Sequence, residues 1–288
     1  MASPRAILLM TLAMAIFAVS DAVIKRLGEV VGAFQTIFVV SVISLLFFLP
    51  LLWRAGDRLF SSRALGRAMI IRTLGEVGGA IGVVGGLAVL PLSLVAALLQ
   101  AQPLVLTAVA ALFLSEKVGW RRWAAVVVGF AGVMLILRPT GEAFEITLLL
   151  PLLGVLGLTA RDLGTRLLPP DISTPFAASW AILAVGAVGA VGMALTGGWS
   201  AMSGLAWALA GAAAVCVSLA YAAITAALRV GDLSAVAPFR YTRIVFAFAI
   251  AWIVFDERPD LFVWLGLALI IFSGLYTFWR EQRQAPGR

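Results

Sequence analysis

Long apolar runs, separated by short charged or Gly/Pro-containing breaks, occupy almost the whole chain. They predict ten helical spans: residues 5–27, 33–53, 67–88, 92–114, 120–138, 146–168, 173–195, 203–228, 233–255 and 260–280. A membrane helix needs about 20 mostly apolar residues, and the runs have that length. The first run reads as a span and not as a cleavable signal. It is longer than a typical apolar signal core, and it carries Asp21, Lys25 and Arg26 where a small-residue cleavage site is expected. The tails and loops are too short for a soluble domain.

Composition narrows this reading. Of 288 residues, 62% are hydrophobic and 12% charged, against about 25% charged in a soluble domain. Mean hydropathy is +1.08. Disorder is excluded, and a soluble fold would leave large sticky patches. The single cysteine, Cys216, permits no intrachain disulfide, and there is no histidine, the commonest metal ligand and general base. No metal and no cofactor are expected.

Charge then sets orientation. Ten spans put both termini on one side. With the termini inside, cytoplasmic segments hold 13 basic residues. The external segments hold only Lys25, Arg26, Arg138 and Arg258. The positive-inside rule therefore predicts cytoplasmic termini in a bacterial inner membrane. Topology also accounts for the net charge of +7. A nucleic-acid partner is disfavoured, because the basic residues stand at loop ends in ones and twos. The arginines at 54, 58, 63 and 67 read as topology determinants, with contact to anionic lipid as an added role.

The chain repeats itself at an offset of 141 residues. Asp21 matches Asp162, Lys25 matches Arg166, Leu92-Ser93 matches Leu233-Ser234, Glu116 matches Glu257, Lys117 matches Arg258 and Trp123 matches Trp264. No gap is needed. Leucine and alanine matches are cheap in this composition, whereas charged and tryptophan matches are not. The expected halves are 1–141 and 142–288, with five spans each. Five is odd, so the second half enters the membrane inverted, as in many secondary transporters.

Leu92 to Glu116 reads LSLVAALLQAQPLVLTAVAALFLSE, and Leu233 to Glu257 reads LSAVAPFRYTRIVFAFAIAWIVFDE. Paired segments that each close on an acid before a Gly-containing span resemble the EamA repeats of the drug/metabolite transporter superfamily. The resemblance covers nearly the whole chain, and its closest branch is the bacterial amino-acid and metabolite exporters. It implies an all-α integral membrane protein of ten helices, as two inverted five-helix repeats around a central cavity. Spans 1–4 and 6–9 would line that cavity, with spans 5 and 10 bracing it.

Ionisable residues inside spans are costly unless they pair, snorkel or line a wet cavity. Arg72 and Glu76 share one face of span 3. They either neutralise each other as a brace or open to take the carboxylate and ammonium of a zwitterion, with Glu76 able to carry a coupling proton. Their mates are Ala213 and Val217. Arg240 and Arg243 share a face of span 9, where their mates are Leu99 and Gln102, and Tyr241 matches Gln100. Arg240 stands nearer the cytoplasmic end, where snorkelling competes with a binding role. Pro103 and Pro238 break spans 4 and 9 near these residues and free backbone carbonyls. Broken helices at mid-membrane are where transporter sites lie. Trp180 and Tyr221 are read as aromatic cavity wall or as packing. The substrate-binding candidates are therefore Arg72, Glu76, Gln100, Trp180, Tyr221, Arg240, Tyr241 and Arg243. Asp21 with Lys25 and Asp162 with Arg166 are equivalent i,i+4 pairs. With Pro103 and Pro238 they are expected to serve structure and gating. Glu116 and Glu257 should anchor the turns into spans 5 and 10. In span 3, Gly75, Gly78, Gly79, Gly82 and Gly86 form small-residue rows for close helix contact.

A secondary transporter for a small zwitterionic metabolite follows, with amino acids, aromatic ones included, leaving the cell by alternating access. The alternative is an uptake or exchange carrier for a nucleoside-, S-adenosylmethionine- or vitamin-like metabolite. An intramembrane enzyme is the remaining class, but it would lack a histidine, a metal cluster and a Walker A motif. Fixed arginines disfavour organic cations, and so a cationic-drug pump. The expected partners are the bilayer and a small-molecule substrate, with no nucleotide, and the carrier is expected to work as a monomer.

Overall fold

The computed structural model describes residues 4–113, 119–138, 145–230 and 237–284. Glu116, Lys117 and residues 233–236 of the repeat match lie outside the described residues. Within the described residues the chain is helical, with no strand. The helices are α1 (Pro4–Val31), α2 (Ala33–Arg54), α3 (Arg67–Val89), α4 (Leu92–Leu99), α5 (Gln102–Phe113) and α6 (Trp120–Leu137), followed by α7 (Leu149–Arg166), α8 (Thr174–Leu195), α9 (Gly204–Val230), α10 (Thr242–Phe255) and α11 (Leu261–Gln284). Among the described residues nine segments are long and apolar enough to cross a membrane, and Trp123–Leu137 is a shorter apolar helix. Each of the ten predicted runs is thus helical over most of its described residues. Span 4 is split into α4 and α5, and span 9 begins with a 3-10 turn, Ala237–Tyr241, before α10.

The helices gather into two compact units, each drawing on both halves of the sequence. One holds Val23–Val89 and Leu149–Ser218; the other holds Met1–Ala22, Leu90–Leu148 and Leu219–Arg288.

In the first unit, α3 and α7 meet backbone to backbone. A Cβ built on Gly75 would stand 2.7 Å from the Gly157 carbonyl oxygen, and one on Gly82 would stand 2.5 Å from the Leu150 oxygen. The small-residue rows of span 3 are therefore a packing seam. Helices α2 and α8 pack in the same manner, Gly189 against Phe38 and Gly192 against the Phe34 ring. This pair is clasped at both ends. The buried Gln35 amide donates to the Ser200 carbonyl and accepts from the Ser200 N–H, both at 2.8 Å. At the other end Ser173 donates to Asp57, which also pairs with Arg63 at 3.3 Å. Gly32, at φ 81°, supplies the one-residue turn between α1 and α2.

In the second unit, α6 and α11 close on Gly132 and Gly266. A Cβ on Gly132 would lie 2.6 Å from the Gly266 oxygen. Arg138 leaves α6 in the left-handed conformation, pairs with Asp260 and lies 4.3 Å from the Phe262 ring. Asp260 caps α11 by accepting from the Val263 N–H at 3.0 Å. That backbone bond holds its carboxyl below the usual aspartate value, and Arg138 adds to the effect. Glu257, expected to anchor the turn before span 10, closes the end of α10 with its N–H on the Ala251 carbonyl at 3.0 Å, but its side chain serves another helix. Its carboxylate accepts from the Leu92 N–H at 2.7 Å, the Ser93 N–H at 2.8 Å and the Ser93 hydroxyl at 2.7 Å. It thus caps α4, whose first N–H groups have no partner within the helix.

Candidate functional site

The break in span 4 and the start of α10 fall at equivalent places. Helix α4 ends at Leu99, and Gln100 and Ala101 form a tight turn closed by Gln100 N–H to Ala97 and Ala101 N–H to Leu98. Adding the repeat offset to Gln100 gives Tyr241, the last residue of the 3-10 turn. These two mates touch: the Gln100 side-chain amide donates to the Tyr241 carbonyl at 3.3 Å. A residue can meet its own repeat mate only where the local two-fold relating them passes. Two interrupted helices therefore meet on that axis inside one unit. Interrupted spans expose backbone polar groups that a solute can use. The Tyr241 hydroxyl is buried against Gly274 and has no hydrogen-bond partner.

In the first turn of α10, Arg243 grips Asp21 of α1. Its Nη2 lies 2.6 Å and 2.9 Å from the two carboxylate oxygens, and Nε lies 3.1 Å from one of them. The guanidinium carbon stands 5.1 Å from the Phe17 ring centroid, and Phe17 meets Tyr221 of α9 edge to face at 5.6 Å and 80°. Phe17 is one helical turn before Asp21, so α1 presents both to Arg243. A planar guanidinium can hold a carboxylate through its fork and lie against an aromatic face at the same time, as Arg243 does here with Asp21 and Phe17. The sequence nominated Arg243 and Tyr221 but missed Phe17. Its only signal was the spacing of four from Asp21. The i,i+4 reading also did not provide Asp21 with this partner. Lys25 reaches Glu29 at 3.4 Å and the Leu87 carbonyl at 3.5 Å.

The other unit holds a second charged group. Arg72 Nη2 stands 3.8 Å from Glu76, as the spacing predicts, and Arg161 Nη1 stands 3.6 Å from the second oxygen of Glu76. Arg161 also pairs with Asp162 at 2.8 Å. Arg72 donates to the Ala177 carbonyl at 2.6 Å. The glycine seam lets α7 come close enough to bring Arg161 to Glu76. The result is a neutral chain of two acids and two arginines. Asp162 is thus held by its neighbour Arg161, where the i,i+4 reading gave it Arg166. Arg166 is exposed in the last turn of α7.

The other candidates are dispersed. Trp180 packs beside Leu52, Met69 and Phe176, edge to face with Phe60 at 6.3 Å. Arg240 is exposed, Pro103 opens α5 at an exposed position, and Pro238 lies in the 3-10 turn before α10. Among the described residues no group of acids and cysteine is arranged to hold a metal ion.

The model of the EamA-like transporter family matches residues 4–138 and 146–279. A riboflavin transporter of Rhizobium johnstonii is 31% identical over 70% of this chain and 66% of its own length. A riboflavin transporter of Vibrio cholerae is 32% identical over 67% and 64%. The chain thus spans just under two thirds of these two relatives. An S-adenosylmethionine uptake transporter of Rickettsia felis is 26% identical over 92% of this chain and 89% of its own. A crystal structure superposes with a TM-score of 0.63 over 96% of this chain and 99% of that chain. At 16% identity this last likeness speaks for the fold alone.

Proposed function

Because the chain belongs to the EamA-like transporter family, and is a multi-pass membrane transporter of a small metabolite, we propose that it takes up a flat heteroaromatic metabolite with a hydroxylated arm. The observation that carries this reading is the arrangement of Phe17, Tyr221 and Arg243 beside the paired break at Gln100 and Tyr241. Rings and a guanidinium accept a flat heterocycle face-on. A primary amide and freed backbone groups can read the donor and acceptor edge of such a ring. Of the solutes named for the relatives, riboflavin joins a nitrogen heterocycle to a hydroxylated open chain, and S-adenosylmethionine joins one to a hydroxylated ribose ring.

Amino-acid export is the weaker reading. It required Arg72 and Glu76 to open toward a zwitterion. Glu76 instead lies between two guanidinium groups, and an incoming ammonium would have to displace both. Uptake agrees with the name of the Rickettsia felis relative. The distribution of basic residues supports cytoplasmic termini, and the family supports a carrier over a catalyst.

Counterflow into liposomes loaded with riboflavin, S-adenosylmethionine, uridine or phenylalanine tests the proposal. One of the first three should exchange, and Arg243→Ala should abolish exchange while leaving a monodisperse protein. Exchange of phenylalanine alone, lost in Glu76→Gln and kept in Arg243→Ala, would restore the amino-acid reading.

A further inference from the structure

Among the buried carboxylates, Asp21 is held by a single cation. Its side chain is 7% exposed, and among the described residues it accepts its hydrogen bonds from Arg243. Few titratable or charged groups face it. From α10 there is Arg243. From α9, Tyr221 stands one ring away behind Phe17. Tyr241, at the start of α10, turns its hydroxyl to Gly274. Along α1, Lys25 follows one turn later and reaches Glu29 and Leu87. Glu76, the carboxylate that the sequence offered for a coupling proton, differs. It is shared by Arg72 and Arg161, so its release would require two ion pairs to break.

The repeat sets the Asp21–Arg243 pair apart. The mates of Asp21 and Arg243 are Asp162 and Gln102. Both halves carry the acid, but only the second carries the arginine at this offset. Asp162 draws its arginine from the adjacent position. A brace required by the architecture would be written twice, so the asymmetry marks a role that only one half performs.

Resting on the substrate surface argued above, we propose that Asp21 is the proton-coupling group of the carrier. A substrate acceptor atom docks on the Arg243 guanidinium and displaces the Asp21 carboxylate. The displaced carboxylate takes one proton from the side where the substrate entered. When the substrate leaves on the other side, the proton leaves Asp21 and the pair with Arg243 closes again. One proton then travels with each substrate. A buried carboxylate without proton or cation is the most costly alternative, which ties the two events together.

The test uses the full chain in liposomes with the membrane potential clamped and radiolabelled riboflavin or S-adenosylmethionine as the probe. With one proton per substrate, an inward gradient of about one pH unit concentrates the probe roughly tenfold. In Asp21→Asn, any transport that remains should equilibrate the probe without concentrating it. Gradient-driven accumulation by Asp21→Asn, or wild-type accumulation indifferent to the gradient, overturns the proposal. A second arm needs no substrate. The thermal midpoint in detergent should vary with pH differently in wild type and Asp21→Asn, and coincident curves also overturn it. If neither probe moves but the curves differ, the substrate class fails and the proton site stands. Should Asp21→Asn fail to fold, the charge-neutral double variant Asp21→Asn, Arg243→Gln is read by the second arm with the same expectation.

Discussion

Replacing Gly157 by alanine puts one methyl group into the α3–α7 seam. Its Cβ would stand 2.6 Å from the Gly78 carbonyl carbon and 2.8 Å from the Gly75 carbonyl oxygen, and it would also overlap the Gly79 amide. All three are backbone atoms, so no side chain can turn aside. To restore ordinary contact with the nearest of them, α7 must retreat by roughly 1 Å, a gap that forfeits about half of the dispersion well across the seam. Overpacking of this kind costs about 1–3 kcal/mol, while alanine returns at most about 1 kcal/mol of helix propensity. The expected net loss is about 1–2 kcal/mol, or a midpoint lower by roughly 2–8 °C on the soluble-protein scale. Gly78→Ala is the matched control. It lies on the same face of the same seam, but its Cβ would be 3.7 Å from the Gly157 Cα, an ordinary contact. Thermal unfolding of both purified variants in one detergent reads the difference. If Gly157→Ala were as stable as Gly78→Ala or the wild type, the backbone-contact argument would be wrong.

Three further outcomes follow from other contacts. Glu257→Ala leaves the first N–H groups of α4 without their acceptor and should cost about 1–3 kcal/mol, seen as faster amide exchange at Leu92 and Ser93, whereas Glu257→Gln should recover part of it. Gln35→Ala removes both hydrogen bonds to Ser200 and should raise protease cleavage in the stretch between α8 and α9; unchanged cleavage would deny the clasp a role. Asp260 is held below its ordinary value of 3.8, so its contribution to stability is present above that value and lost as pH falls through its lower folded value. Asp260→Asn should therefore be slightly less stable than wild type at neutral pH, the effect being small for an exposed pair, and the difference should close in acid.

The helices were legible because apolar run length alone decides a membrane span, and the glycine rows of span 3 named their own use. The Arg72–Glu76 pair was legible because helical spacing fixes it. The partner of Asp21 was not. Arg243 lies 222 residues further along the chain, and no periodicity reaches that far. The bridge from Arg161 to Glu76 depends on how closely two glycine faces approach, which helical spacing does not show. The same ignorance of pairing misassigned Glu257: its sequence neighbours suggested the turn into span 10, while its carboxylate serves a helix start 165 residues earlier. The 141-residue offset carried further than spacing did, because Gln100 and Tyr241 prove to be both mates and neighbours.

The interleaving of the two compact units bears on how the protein is made. The unit that contains the first 22 residues is closed by residues 219–288, and Gln35 waits for Ser200. At about 5–20 residues per second, the 165 residues separating Gln35 from Ser200 take roughly 8–33 s to synthesise. During that interval the Gln35 amide lacks its Ser200 partner, while the glycine seam of α3 waits only for α7. A nascent chain halted before α8 has neither unit complete. Quality control of unfinished chains, rather than any property of the mature carrier, is the setting in which substitutions at Gln35 or in the glycine seam would first be felt.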